Sequence, residues 1–249
     1  MTQILQPADA YDRIAPVFTR IADRRRAYLD RIDRLVISKI PRGGRSLLDA
    51  GAGDGIRAFR IAKAAGIEEV ILLEPSAEMR KKWPAGARGW AMPAEELCSI
   101  DKTFDVITCL WNVLGHISPS KNRAEVMRQF SRMLAPGGMV FIDVNHRYNM
   151  RKYGALRTLA RMIQDRAFPS EKNGDAIARW EVDGTTCATT GHVFIDGEFR
   201  RLAEGAGLRI AKRFVIDYAT GQLRRSGFLG NLLYCLAHKP ANFRDGVIS

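Results

Sequence analysis

The 249-residue chain has few cysteines, four in all, and no two of them form a Cys-x-x-Cys pair. Cys98, Cys109, Cys187 and Cys235 are scattered, which excludes a disulfide framework or a zinc site and leaves a reduced, cytoplasmic protein as the expectation. Long hydrophobic runs are missing as well. The longest mostly apolar stretch, residues 106–115, falls far short of the ~20 residues that a membrane span needs. The first residues, MTQILQPADAYDR, include acids and lack a basic start followed by an apolar run, so no secretory signal is expected. Repeats, low-complexity segments and a boundary for a second domain are also absent. Nothing in the sequence fixes an oligomeric state.

An apolar content of 46% over this length suits one α/β domain with a sizeable core and an insertion. The net charge of +12 is unevenly spread. Residues 1–45 carry 10 basic and 5 acidic side chains, whereas residues 46–146 carry 12 of each. Residues 147–191 carry 8 and 5, and residues 192–249 carry 9 and 5. The surplus therefore lies in the flanks and the insertion. It fits either a solvated basic surface or a site for an anionic substrate, carboxylated or phosphorylated.

The most informative stretch is RSLLDAGAGDG, residues 45–55. Residues 46–50 read as a buried strand, and Gly51-Ala52-Gly53-Asp54-Gly55 as a tight turn opening a helix at Ile56. Glycines at alternate positions let the backbone approach a ligand where a Cβ would clash. The free N–H groups of the new helix point into the same space. A dinucleotide fingerprint needs its third glycine where this chain has Ile56, which weakens an NAD reading.

A strand, an acidic residue, Gly-x-Gly-x-Gly and a helix together resemble the first motif of the class I S-adenosylmethionine (SAM) dependent methyltransferases. The following strands extend the resemblance. Residues 70–73 form a strand ending in Glu74, about 20 residues past the turn, where a carboxylate can accept both hydroxyl protons of a ribose. The resemblance gives Glu74 that role toward SAM. It places Asp49, Gly51, Ala52 and Gly53 beside the cofactor, and Leu110 at the end of a strand spanning residues 104–110. Family members usually read Asp-Ala-Glu-x-Leu at the adenine; here Pro93 replaces the aspartate, which moves the contact to the backbone of Ala94 or to Glu95. Pro136-Gly137-Gly138 before a strand at 139–144 is a further family feature. Tyr11-Asp12-Arg13-Ile14-Ala15 resembles the Tyr-Asp-x-x-Ala segment that covers SAM in methyltransferases of the quinone-biosynthesis type, although Tyr11 packing on the core would explain it too. The resemblance covers residues 46–145 closely and the remainder loosely.

The implied fold is α/β: a three-layer Rossmann-like domain around a mostly parallel seven-stranded sheet with an antiparallel C-terminal strand. Residues 1–45 read as an N-terminal helical cap, with helices at 11–21 and 28–40; Tyr28, Ile32, Leu35 and Val36 share one face. Val126, Phe130, Met133 and Leu134 mark the buried face of another helix. Residues 46–145 form the SAM-binding core, whose β-α repetition implies a sheet covered on both sides. Residues 146–191 interrupt it with a helix striped by Leu156, Leu159, Ala160 and Ile163, then a polar hairpin. An insertion at the carboxyl edge of a parallel sheet reads as a substrate lid. Residues 192–249 finish with a helix and strands at 208–217 and 232–238.

Methyl transfer asks for alignment and exclusion of water more than for covalent catalysis. A base is needed only when the acceptor must lose a proton. His116, His146 and His192 each follow a strand or close the insertion, and an imidazole titrates near cellular pH. Each is a candidate base; helix capping or core hydrogen bonding is the alternative, and His238 reads as structural. Trp111 is a candidate wall against the acceptor or a packing residue. Asn145, Arg147 and Tyr148 are candidate substrate contacts, and Arg224-Arg225-Ser226 a candidate anion clamp. The Asn/Asp-Pro-Pro-Tyr motif that hydrogen-bonds a flipped base is absent at Trp111-Asn112, which argues against DNA adenine or cytosine as substrate.

The leading expectation is methylation at O or N of a small molecule, an anionic one if the positive surplus serves the substrate and not only solvation. An RNA methyltransferase is the alternative that the basic flanks suggest, but aromatic–basic alternations are few, so nucleic acid is the weaker partner. A non-catalytic SAM-binding module is the third reading.

Overall fold

The computed structural model describes residues 3–182 and 184–239. Its strands, in chain order, are β1 (Ile4–Leu5), β2 (Ser46–Ala50), β3 (Glu69–Leu73), β4 (Arg88–Trp90), β5 (Phe104–Cys109) and β6 (Leu134–Val144). They continue as β7 (Asp175–Val182), β8 (Thr185–His192), β9 (Leu208–Ile216), β10 (Leu223–Arg224) and β11 (Asn231–His238). The main sheet has the order β10-β9-β11-β6-β5-β2-β3-β4. Neighbours from β6 to β4 run parallel, while β11 lies antiparallel between β6 and β9. Strands β2, β3 and β5 are nearly continuous apolar runs because helices cover both their faces. Strand β2 pairs with β3 on one side and β5 on the other, so the chain reverses its direction of progress there. Such a switch point opens a crevice at the carboxyl ends of the strands.

The main sheet holds one strand more than the seven that the sequence suggested. Residues Leu223–Arg224 form the edge strand β10, made when the chain doubles back and pairs antiparallel with β9. Strand β6 also begins at Leu134, so Pro136-Gly137-Gly138 lies within it. The last part of the 192–249 segment, residues 240–249, lies outside the described residues, as do residues 1–2.

The N-terminal cap differs from two simple helices. Helix α1 (Pro7–Ile14) gives way to a single 3₁₀ turn at Ala15–Val17 before α2 (Phe18–Asp23) and α3 (Arg26–Ile37). Pro16 accounts for the break: it has no N–H to donate and its ring crowds the preceding turn. Helix α3 buries Tyr28, Ile32 and Val36 as its spacing predicts. Helices α4 (Ile56–Ala65), α5 (Ala77–Arg80) and α6 (Ser120–Met133) follow, with Val126, Phe130 and Met133 of α6 fully buried.

The insertion holds α7 (Met150–Tyr153), α8 (Ala155–Ala167) and the β7–β8 hairpin. Helix α9 (Asp196–Gly205) then returns the chain to the sheet. The stripe on α8 faces outward: Leu156, Leu159 and Ile163 are 86%, 55% and 61% exposed. Thr158 is the buried residue of that helix. The hairpin instead pairs with the chain's beginning, through Ile4 opposite Ala188 and Leu5 opposite Thr189 in parallel register. Cys187 of β8 joins Ala10, Ile14, Val17 and Ile21 in a small apolar cluster. Cap and insertion thus form one continuous cover. Among the described residues, no helix is long and apolar enough to cross a membrane.

Candidate active site

The turn after β2 forms because three of its residues adopt a left-handed backbone, Gly51 at φ 72°, Gly53 at 56° and Gly55 at 73°. A Cβ on Gly51 would lie 2.5 Å from Cγ1 of Val113, and one on Gly55 2.5 Å from Cδ1 of Leu72. The turn is braced from below by the carbonyl of Leu73, which accepts from the amides of Gly51 and Ala52 at 2.8 and 3.0 Å. The indole N–H of Trp83 donates to the carbonyl of Gly53 at 2.9 Å.

Glu74 closes this turn. Its carboxylate accepts from the amide of Gly53 at 2.8 Å and from that of Ser76 at 2.9 Å. Burial raises its pKa above the ordinary carboxylate range, against the pull of these two amides. Asp49, one strand inward, accepts from the Thr108 hydroxyl at 2.7 Å, and burial lifts its carboxyl to about 6. Asp12 of the cap accepts from the Ser76 hydroxyl at 2.5 Å and from the Glu78 amide at 2.9 Å. The first helix is thereby latched beside Glu74.

A cavity of about 590 Å³ lies over this turn, within the usual range for small-molecule sites. It is lined by Asp49, Gly51, Ala52, Gly53 and Glu74, and by Pro93, Ala94 and Glu95. Leu110, Trp111, Val113 and His116 line it too, with Tyr11 and Phe18 of the cap; Val113 stands against Gly51 and Phe18 near Gly53. The cofactor-binding residues and Trp111 named from sequence, together with His116, therefore share one cavity. Phe18 and Val113 carry no motif and were not legible.

Aromatic rings crowd the part of the cavity around Tyr11 and His116. Tyr11 meets His116 edge-on with centroids 5.7 Å apart, and Phe18 lies 5.7 Å from Trp111. Trp180 of the hairpin packs on Tyr11 at 5.7 Å and on His116 at 6.1 Å. Burial raises the Tyr11 phenol well above its ordinary value, so it stays protonated. Nδ1 of His116 lies 3.0 Å from the carbonyl of Thr190. A carbonyl only accepts, so Nδ1 carries the proton and Nε2 keeps its lone pair. Burial lowers the pKa of this ring and favours the neutral form.

The other residues singled out from sequence lie elsewhere. His146 is 5% exposed, with Nδ1 2.7 Å from the carbonyl of Gly227. His192 is 1% exposed, with Nδ1 2.9 Å from Asp175 and Nε2 2.8 Å from Glu198, so neither nitrogen is open to a substrate. Arg147 and Tyr148 both donate to Asp165, each at 2.7 Å. Asn145 accepts through Oδ1 from Asn231 at 2.8 Å and from Lys152 at 3.1 Å. None of these five lines the cavity. Arg224 of the suggested clamp is paired to Asp217 at 3.1 Å. His238 lies 2.9 Å from the carbonyl of Ser131, a structural contact. The outward stripe of α8 does not line the cavity either; the roof comes from the cap, with Trp180 behind it.

The arrangement fits an adenosyl sulfonium: side-chain-free backbone at the switch point, a buried acid one strand later, and electron-rich rings in the same cavity, which favour a positive charge. Fold and site define a class I SAM-dependent methyltransferase. The model of the methyltransferase domain family matches residues 20–212, and the chain belongs to that family. It is similar to the cypemycin N-terminal methyltransferase of a Streptomyces species, 27% identical over 188 residues that cover 70% of this chain and 77% of that one. A SAM-bound amino pentose methyltransferase from Micromonospora echinaspora superposes with a TM-score of 0.60 at 17% identity, over 89% of this chain and 97% of that one. A SAM-dependent methyltransferase from Clostridium acetobutylicum gives 0.61 at 13% identity, over 90% and 99%.

Proposed function

We propose that the protein methylates an amine nitrogen, on a small molecule or at a peptide amino terminus. The observation that carries this reading is His116, held neutral by burial with Nδ1 fixed on Thr190 and set in an aromatic end of the cavity. SAM, when bound, supplies a methyl already activated on sulfur. An amine that attacks must present its lone pair, and the nitrogen then sheds a proton. Nε2 of His116 is the group available to take that proton. Tyr11, Trp111 and Trp180 exclude water and stabilise positive charge developing on nitrogen. The likeness to an N-terminal methyltransferase supports the same choice of atom. In this reading Glu74 holds the ribose, Ala94 and Glu95 border the adenine, and residues 146–191 support the cover through the β7–β8 hairpin.

Incubation of the full chain with isotopically labelled SAM and a panel of amines, peptides and alcohols tests this. Label is expected on nitrogen, with His116→Ala lowering kcat by about 10- to 100-fold while SAM affinity is kept. Label found only on oxygen, or unchanged turnover in His116→Ala, would overturn the assignment.

A further inference from the structure

Behind the Trp111 wall stands a group of three cations from three separate elements. Trp111 donates its indole N–H to the Tyr218 hydroxyl at 3.4 Å. Over the Tyr218 ring sit the guanidinium of Arg25, 4.7 Å from the centroid, and the ammonium of Lys152, 4.5 Å from it. Lys152 also lies 5.5 Å from the Tyr153 ring, and Arg161 stacks on that ring at 4.2 Å. Arg25 closes the link between α2 and α3, Lys152 belongs to α7 and Arg161 to α8.

Among the described residues, none of the three cations forms an ion pair. The neighbouring carboxylates are already engaged: Asp217 by Arg151 at 2.6 Å and Arg224 at 3.1 Å, Asp165 by Arg147 at 2.7 Å. Lys152 donates to the Asn145 amide oxygen at 3.1 Å, and Arg161 to the carbonyl of Arg147 at 3.0 Å and to Tyr153. Lys152 opens to solvent, yet the chain around it and then the charges of Arg25 and Arg161 pull its pKa down to about 8. Like charges gathered without counter-charge repel one another, and a bound anion would turn that repulsion into attraction. Two guanidinium groups add planar, directional donors suited to carboxylate or phosphate oxygens.

We infer that Arg25, Lys152 and Arg161 form an anion subsite that holds a carboxylate or phosphate of the methyl acceptor. The subsite adjoins the cavity through Tyr218 and Trp111, and through Arg26, which follows Arg25 and lines the cavity. The acceptor it selects is bifunctional, with a nucleophile at Trp111 and His116 and an anionic group beyond Tyr218. This inference rests on the proposed methyl transfer for its purpose, but the subsite itself can be tested without turnover. It also accounts for part of the positive surplus in the cap and insertion, and it gives Asn145 the task of positioning Lys152.

The test is calorimetric titration of inorganic phosphate into the SAM-loaded full chain, repeated with Lys152→Gln, Arg161→Gln and Arg25→Gln. Arg209→Gln, at an exposed arginine outside the group, is the control. Saturable phosphate binding is expected, weakened about 5- to 20-fold by each substitution in the triad and unmoved by the control. SAM affinity should be the same in all four variants, which checks folding and keeps this result apart from the fate of the proposed reaction. Absence of saturable binding, or equal weakening by Arg209→Gln, would overturn the subsite. Phosphate binding lost in the triad, with no methyl found on nitrogen, would leave the subsite standing and remove the amine reading alone.

Discussion

Asp143 holds Trp111 in a conformation that a tryptophan seldom adopts. Trp111 and the following Asn112 have φ values of 66° and 61°, the two left-handed residues other than glycine among those described. The Trp111 amide donates to Oδ1 of Asp143, and the Asn112 amide to its carbonyl at 3.1 Å. The second carboxylate oxygen accepts from the Tyr28 hydroxyl at 2.7 Å. A left-handed residue that bears a side chain costs about 1–2 kcal/mol. That cost is borne where the wall of the cavity turns.

Replacing Asp143 with Ala should therefore do more than remove two hydrogen bonds. It leaves buried donors on Trp111 and Tyr28 without acceptors, a loss of about 2–4 kcal/mol. Tyr28→Phe should cost about 1 kcal/mol, and the double variant less than the sum because both act on one network. Urea denaturation of the four proteins measures this. Strict additivity would mean that Tyr28 and Asp143 do not interact.

Asp49 supplies a pH dependence of known sign. Burial raises its carboxyl from 3.8 to about 6. Between those values the folded chain binds more protons than the unfolded one, so this group lowers stability as pH rises through the window. Above it the penalty is fully present, at about 2–3 kcal/mol. Asp49→Asn removes the charge and keeps an oxygen to accept from Thr108. The variant should melt at a higher temperature than the wild type at pH 7, with the gap closing toward pH 4. SAM affinity should fall in the same variant, since the carboxylate borders the cavity. A lower melting temperature at pH 7 would show that the ionised form is stabilised by contacts stronger than its burial.

The three glycines of the turn can be separated by what a methyl group would meet. On Gly53 it would lie 3.1 Å from Cε of Met79 and 3.4 Å from Cζ of Phe18, both mobile ends of side chains. On Gly51 and Gly55 it would lie 2.5 Å from branched carbons of Val113 and Leu72. Gly53→Ala is expected to cost about 1–2 kcal/mol of stability while weakening SAM binding at least 10-fold. Gly51→Ala and Gly55→Ala should destabilise more, by about 3 kcal/mol. Chemical denaturation and calorimetry on the same three preparations decide it, and intact SAM affinity in Gly53→Ala would place the ligand away from this backbone.

What could be read without coordinates was local. The turn at Gly51 and the buried face of α6 each depend on residues within a few positions of one another, and Glu74 ends a strand about 20 residues past that turn, so spacing reveals them. Direction across the chain was not legible. Asn145, Arg147 and Tyr148 follow β6 where a substrate could be reached, but Asp165 and Asn231 turn them aside. The same holds for Trp180, which reaches Tyr11 only because β8 pairs with the first strand. An apolar stripe such as that of α8 reports periodicity and not which way the helix faces.

His192 is where this long-range architecture can be tested. Its two nitrogens join Asp175 at the start of β7 to Glu198 on α9, and Glu198 is 7% exposed. A Cβ on Gly174 would lie 2.4 Å from its Cε1, so the ring is packed against backbone. Its carbonyl accepts from the Asn112 side chain at 3.4 Å, next to the strained turn. His192→Ala should leave Glu198 buried without its partner and cost about 2–4 kcal/mol. The loosened hairpin would carry Trp180 away from Tyr11 and His116, raising KM for the acceptor about 3- to 10-fold with a smaller change in kcat. His192→Gln can serve only one carboxylate and should recover part of the stability. A collapse of kcat in a variant as stable as the wild type would instead make His192 a catalytic residue, which its closed environment argues against.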